Sequence, residues 1–134
     1  MASSNCSVDA NVLLDWLLDR GQTHTRNIER LFNDSTHIGI ADITIIEVAY
    51  VLERVYGLPR GLVVENISRI INDSLFNCNR NLFGLVLPLY KKRSALSFAD
   101  CCAVYYAHLT DSRPLYTFDK KLVNQSEGLA QHIK

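Results

Sequence analysis

Four carboxylates define the chemistry this chain could do. Asp9 follows a short apolar stretch, Cys6–Val8, that reads as a strand, and an amphipathic helix beginning near Asn11 comes almost directly after it. Glu47 reads as lying in the first turn of a helix opened by Thr44, and Asp100 in the first turn of a helix opened by Ser97. Asp119 directly follows the apolar run Pro114–Phe118, which reads as a buried strand. In an open α/β sheet, strand tips and the helix starts that follow them meet along one edge, where ligands bind. Four carboxylates gathered there would be ionised at neutral pH and would repel one another unless a cation were present. An all-oxygen donor set selects a hard ion, Mg²⁺ or Mn²⁺, over zinc or copper.

Each acid also has an ordinary explanation. Thr44-Ile-Ile-Glu47 and Ser97-Phe-Ala-Asp100 fit a capping box or a close variant, in which a hydroxyl and a carboxylate satisfy the open N–H groups of a helix start. Acids in a first turn also suit the helix dipole. Asp9 and Asp119 are ordinary N-cap residues, and Asn11 offers an amide that can hold the first turn. The case for chemistry over capping is convergence: two acids at strand tips and two at helix starts, in an otherwise apolar framework.

The elements that must position these residues alternate along the chain. Strands are expected at Cys6–Val8, His37–Ala41, Ser74–Cys78, Pro114–Phe118 and near His132. Helices are expected from Asn11 to near Gly21, over Thr25–Asn33 and Thr44–Tyr56, and from Arg60 to Asn72, the third being stopped by Gly57 and Pro59. Arg80–Arg93 reads as a helix that Pro88 kinks or divides. Ser97–Thr110 has the composition of a fully packed helix, and a short one follows Asp119. Strands separated by helices call for parallel pairing through right-handed crossovers. The fold expected is a three-layer α/β/α sandwich with a central parallel sheet of four or five strands, forming one domain over residues 1–134.

Composition sets the outer bounds. The chain of 134 residues is 48% hydrophobic and 21% charged, ordinary for a globular protein, and holds no apolar run near the roughly 20 residues a membrane span requires. The start of the sequence lacks a basic patch followed by an apolar block, so a cytoplasmic location is the expectation. Cys6, Cys78, Cys101 and Cys102 show no zinc-like spacing and are expected to be buried thiols. Fourteen basic residues balance fourteen acidic ones, which counts against a broad electrostatic grip on nucleic acid. It leaves room for a nuclease whose bound cations supply the local positive charge.

Val-Asp-Ala-Asn at Val8–Asn11, Thr-x-x-Glu at Thr44–Glu47, Leu-Ser-Phe-Ala-Asp at Leu96–Asp100 and Leu-Tyr-Thr-Phe-Asp at Leu115–Asp119 together resemble the PIN-domain nucleases. Within that family the compact size is similar to the toxins of VapBC toxin–antitoxin pairs. The resemblance covers Cys6 to about Leu122. It implies that Asp9, Glu47, Asp100 and Asp119 form an acidic quartet holding Mg²⁺ or Mn²⁺, supported by Asn11, Thr44 and Thr117. It further implies an RNA substrate, an antitoxin partner and a homodimer. Lys120 and Lys121 stand where some relatives carry another acid.

With Arg113, those two lysines are the first candidates for RNA contact; Lys91–Arg93 reads more simply as a solvated helix face. Tyr56, Tyr90 and Tyr116 could stack on bases, though such aromatics more often serve a core or interface. Exposure of Trp16, Leu17 or Tyr56 would favour a partner-binding face. Two other functions fit the same residues: another Mg²⁺-dependent phosphohydrolase, and a noncatalytic PIN-like module that binds RNA or protein. A P-loop is absent, which disfavours a nucleoside triphosphatase.

Overall fold

Helix and strand alternate through residues 4–134, which the computed structural model describes, and they group into two units, one ending at Asn79 and the other Arg80–Lys134. In the first unit, β1 (Ser4–Ser7) leads into α1 (Ala10–Leu18) with only Val8 and Asp9 between them. Next come α2 (Gln22–Asp34), β2 (Ser35–Gly39) and α3 (Asp42–Tyr50), the last continued by a π-helical turn, Val51–Val55. Gly57, at a φ of 66°, ends that run, and Pro59 stands as the N-cap of α4 (Arg60–Ile71). A two-residue strand, β3 (Phe76–Asn77), closes the unit.

The three strands pair in parallel in the order β1-β2-β3, with Cys6 opposite Ile38 and Ile38 opposite Phe76. A Cβ at Gly39 would stand 3.0 Å from the Ser7 hydroxyl of the neighbouring strand, so glycine there leaves that side chain its place. Leu13, Ile45, Val48, Val63, Ile67 and Ile70 bury the inner faces of α1, α3 and α4. Trp16, Phe32 and Phe76 form an edge-to-face triad with centroids 5.3–5.6 Å apart, the arrangement that ring quadrupoles favour. The Arg69 guanidinium lies 4.9 Å from the Trp16 ring centroid.

The second unit opens with α5 (Arg80–Lys92), followed by α6 (Phe98–Leu109), β4 (Leu115–Thr117), α7 (Lys120–Gln125) and β5 (Ala130–His132). Pro88 neither divides α5 nor ends it. A proline deprives the carbonyl four residues earlier of its donor. Here that residue is Gly84, and both it and Pro88 are exposed, so water can serve the carbonyl. Phe83, Tyr90 and Phe98 form the aromatic centre of this unit, with Phe98 stacked on Phe83 at 6.0 Å and edge-on to Tyr90 at 5.2 Å. β4 and β5 pair in parallel, Thr117 opposite His132. The buried Ser126 hydroxyl accepts the Ala130 N–H at 3.1 Å and fixes the turn into β5.

The architecture is α/β with parallel pairing throughout, as the alternation of elements predicts; the five strands hydrogen-bond as a set of three and a set of two. Two packing expectations are corrected. α6 buries Phe98, Cys101, Cys102, Val104 and Ala107 but leaves Ala99, Ala103 and Tyr106 exposed, so it is packed on one side only. The run Pro114–Phe118 is not a buried strand either: Tyr116, within β4, and Phe118, just beyond it, are exposed. All four cysteines are thiols, Cys101 and Cys102 buried, Cys6 and Cys78 half-buried. Among the described residues no helix is long and apolar enough to cross a membrane.

Candidate functional site

Asp9 caps α1. Its Oδ1 accepts the Val12 N–H at 3.1 Å, and the side chain is exposed at the tip of β1. The turn is therefore held by the Asp9 carboxylate and not by the Asn11 amide; Asn11 is exposed in the first turn, and its carbonyl accepts from Arg20 Nη2 at 3.3 Å. Arg20 is itself tied to Asp15 at 2.6 Å and to the Tyr56 hydroxyl at 2.9 Å, and these bonds, Tyr56 first, raise its pKa.

Glu47 is placed differently from the expectation. The N-cap of α3 is Ala41, without a side-chain bond, and the acid of the first turn is Asp42. Thr44 lies inside the helix, its N–H donating to the Ala41 carbonyl at 3.0 Å, so Thr44 and Glu47 make no capping box. The helix starts earlier because Asp42, two residues beyond Ile40, already supplies the negative charge that a helix start favours. Asn79 Nδ2 donates to Asp42 Oδ2 at 3.2 Å. Glu47 is then an exposed residue in the second turn, with no cap role. Asp42 is legible in the sequence as an acid closely following a strand, but the hydroxyl of Thr44 is the stronger local cap signal.

In the second unit the capping reading of Asp100 holds in full. The Asp100 N–H donates to Ser97 Oγ at 3.0 Å and the Ser97 N–H to Asp100 Oδ2 at 3.2 Å, with the carboxylate half-buried. Asp119 caps α7: its Oδ1 accepts from the N–H groups of Lys121 at 2.9 Å and Leu122 at 3.3 Å. Thr117 Oγ1 accepts the Asp119 N–H at 2.9 Å, which sets the backbone from which that carboxylate projects.

A common feature joins the three aspartates. Each cap uses one carboxylate oxygen, Oδ1 of Asp9, Oδ2 of Asp100 and Oδ1 of Asp119, and carries no hydrogen bond on the other among the described residues. Capping and cation binding therefore do not compete for the same atom. A carboxylate steadied by backbone N–H groups is also a better oriented ligand. Carboxylate oxygens are donors of the kind that Mg²⁺ and Mn²⁺ take. Two of the four acids belong to each unit, and neither unit on its own gathers three His, Cys, Asp or Glu side chains as a metal centre among the described residues.

Lys120 and Lys121 are exposed at the first two positions of α7, where the helix dipole disfavours cations, and neither forms an ion pair among the described residues. Arg113 is exposed and lies 3.7 Å from Asp111 and 3.4 Å from His108 Nδ1. Lys92 and Arg93 hold Glu127 at 3.1 and 3.2 Å, and these bonds, Lys92 first, lower the pKa of its carboxyl. Of the aromatics named for stacking, Tyr90 is buried, Tyr56 is 43% exposed and bonded to Arg20, and Tyr116 is 59% exposed. Phe118, which sequence reasoning passed over, is more exposed than any of them at 73%. Of the residues named as a partner-binding face, Leu17 is buried and Trp16 half-buried in the aromatic triad, which leaves Tyr56.

The PIN domain family model matches residues 7–127, and the chain belongs to that family. Within it, the chain is similar to the VapC ribonuclease of Aquifex aeolicus (strain VF5), 29% identical over a 119-residue alignment that covers 85% of this chain and 87% of that protein.

Proposed function

We propose that this protein is a metal-dependent endoribonuclease, the toxin of a toxin–antitoxin pair. One observation carries the reading: the PIN match encloses Asp9, Glu47, Asp100 and Asp119, three of which are steadied through one oxygen with the other left for an ion. The likeness to a VapC ribonuclease supports RNA as substrate and an antitoxin as partner. The match also runs through the boundary at Asn79 and Arg80, which supports the two units acting as one domain.

In this reading the four acids hold Mg²⁺ or Mn²⁺, and Asn11, Thr44 and Thr117 are supporting neighbours. A bound divalent ion supplies an acidified water and positive charge against the scissile phosphate. The chain's own part is to fix the carboxylates before substrate arrives, through the caps of α1, α6 and α7. Lys120, Lys121 and Arg113 supply cations for the RNA backbone. In this reading the protein acts in the cytoplasm, as a homodimer and with an antitoxin partner.

A noncatalytic module that binds RNA or protein is the second reading, favoured by the fact that Asp9, Asp100 and Asp119 already serve as caps. RNA cleavage with Mg²⁺ or Mn²⁺, comparing wild type with Asp9→Asn and Asp100→Asn, separates the two. Cleavage by wild type alone is the expected result. Equal cutting by all three proteins would refute the assigned site, and no cutting by any would favour the module.

A further inference from the structure

Between α7 and β5 lies a cleft of about 220 Å³ lined by Lys120, Val123, Asn124 and His132. It is smaller than the roughly 300–1,000 Å³ of pockets that enclose a drug-sized molecule, and so suits one unit of a longer ligand. Its lining combines a cation, an aliphatic wall, an amide that both donates and accepts, and an imidazole. Phe118 stands edge-on to His132, with ring centroids 6.0 Å apart, and presents 73% of its surface to solvent. Its unit carries eight Lys and Arg against four Asp and Glu, a surplus that complements a polyanion. An exposed ring beside a cation is the pairing by which proteins hold single-stranded nucleic acid, the base on the ring and the phosphate on the charge.

We infer that this cleft is a subsite for one nucleotide of single-stranded RNA, with Phe118 stacking on its base, Lys120 countering an adjacent phosphate and Asn124 meeting the base edge. The choice of RNA rests on the ribonuclease reading; the subsite goes beyond it. A base paired in a duplex does not present its face, so the site selects unpaired strands.

Anisotropy of a labelled single-stranded oligoribonucleotide, with the full chain in EDTA, tests this directly. Phe118→Ala is expected to weaken binding by about 5-fold to 150-fold, the range for loss of one stacked base. Phe118→Trp should retain binding, whereas Phe118→Leu, apolar but without a ring, should track the alanine variant. Lys120→Ala should lower the slope of log K against log salt by about 0.7, one phosphate contact on a single strand. Phe118→Ala should leave that slope alone. Binding by Phe118→Ala or Phe118→Leu within twofold of wild type would overturn the inference. Cleavage assays on the same proteins keep the two readings apart. If wild type cuts RNA and Phe118→Ala binds it normally, the subsite falls and the nuclease stands; if binding depends on Phe118 but RNA stays intact, the subsite stands and the nuclease falls.

Discussion

Residues 1–79 hold six Lys and Arg against ten Asp and Glu, while residues 80–134 hold eight against four. The chain is neutral only as an average of an acidic unit and a basic one. At physiological salt a charge is felt over about 8 Å, so local charge, and not the whole-chain sum, governs contact with a charged ligand. Both units tie down part of their cations. In the first unit Arg20 is tied to Asp15 and Tyr56, Arg60 lies 3.6 Å from Glu53, and Arg69 covers Trp16. In the second, Lys92 and Arg93 hold Glu127, while Lys120 and Lys121 stand exposed two and three residues beyond the exposed ring of Phe118. In the proposed reading this surplus gives RNA contact to the second unit, and a whole-chain isoelectric point is a poor test for it.

The sharpest way to break this contrast is to ask whether chemistry, unlike charge, depends on both units equally. Asp9→Asn and Asp119→Asn are each expected to cut the cleavage rate by about a thousandfold, on the several kcal/mol that charge stabilisation at a metal supplies. Asparagine caps a helix about as well as aspartate, so melting temperatures should hold. A large loss in only one of the two would confine the chemistry to one unit.

Next in size is the core. Phe76→Ala removes a corner of the first unit's aromatic triad and should cost about 3–5 kcal/mol in denaturant unfolding. Ser97→Ala, in the second unit, should cost about 1 kcal/mol by breaking the capping box of α6. Charge itself comes next: Lys120→Ala with Lys121→Ala should lower the salt slope of RNA binding by about 1.4, whereas Arg26→Ala with Arg30→Ala, in the acidic unit, should leave it unchanged.

The smallest effect is a pH dependence. Lys92 and Arg93 lower the pKa of Glu127, so its ion pair stabilises the fold above the ordinary glutamate range and is lost as pH falls through the lowered value. Glu127→Gln should therefore melt slightly earlier than wild type at pH 7, and the gap should close below about pH 4. A gap that widens in acid would refute the assignment.

Much of this was legible in the sequence. Apolar periodicity and the stops at Gly57 and Pro59 located the elements, and Ser97-Phe-Ala-Asp100 announced its own cap. What escaped the reading depended on competition between neighbours. Thr44 is a better cap residue than Ala41, but an acid at position 42 let α3 begin earlier. Pro88 is tolerated because Gly84 and Pro88 are both exposed, and exposure is not written in a local pattern. Leu-Tyr-Thr-Phe before Asp119 has the composition of a buried strand, and composition alone does not reveal that Phe118 lies outside the core.

The division of labour among the four acids bears on how this chain would decay. If the proposed nuclease is correct, a descendant released from selection for cleavage would still draw on Asp9, Asp100 and Asp119, or close substitutes, to cap three helices. Glu47 begins none and would drift first. Whether a relative keeps an acid at that one position is therefore a better guide to surviving chemistry than whether it keeps the other three.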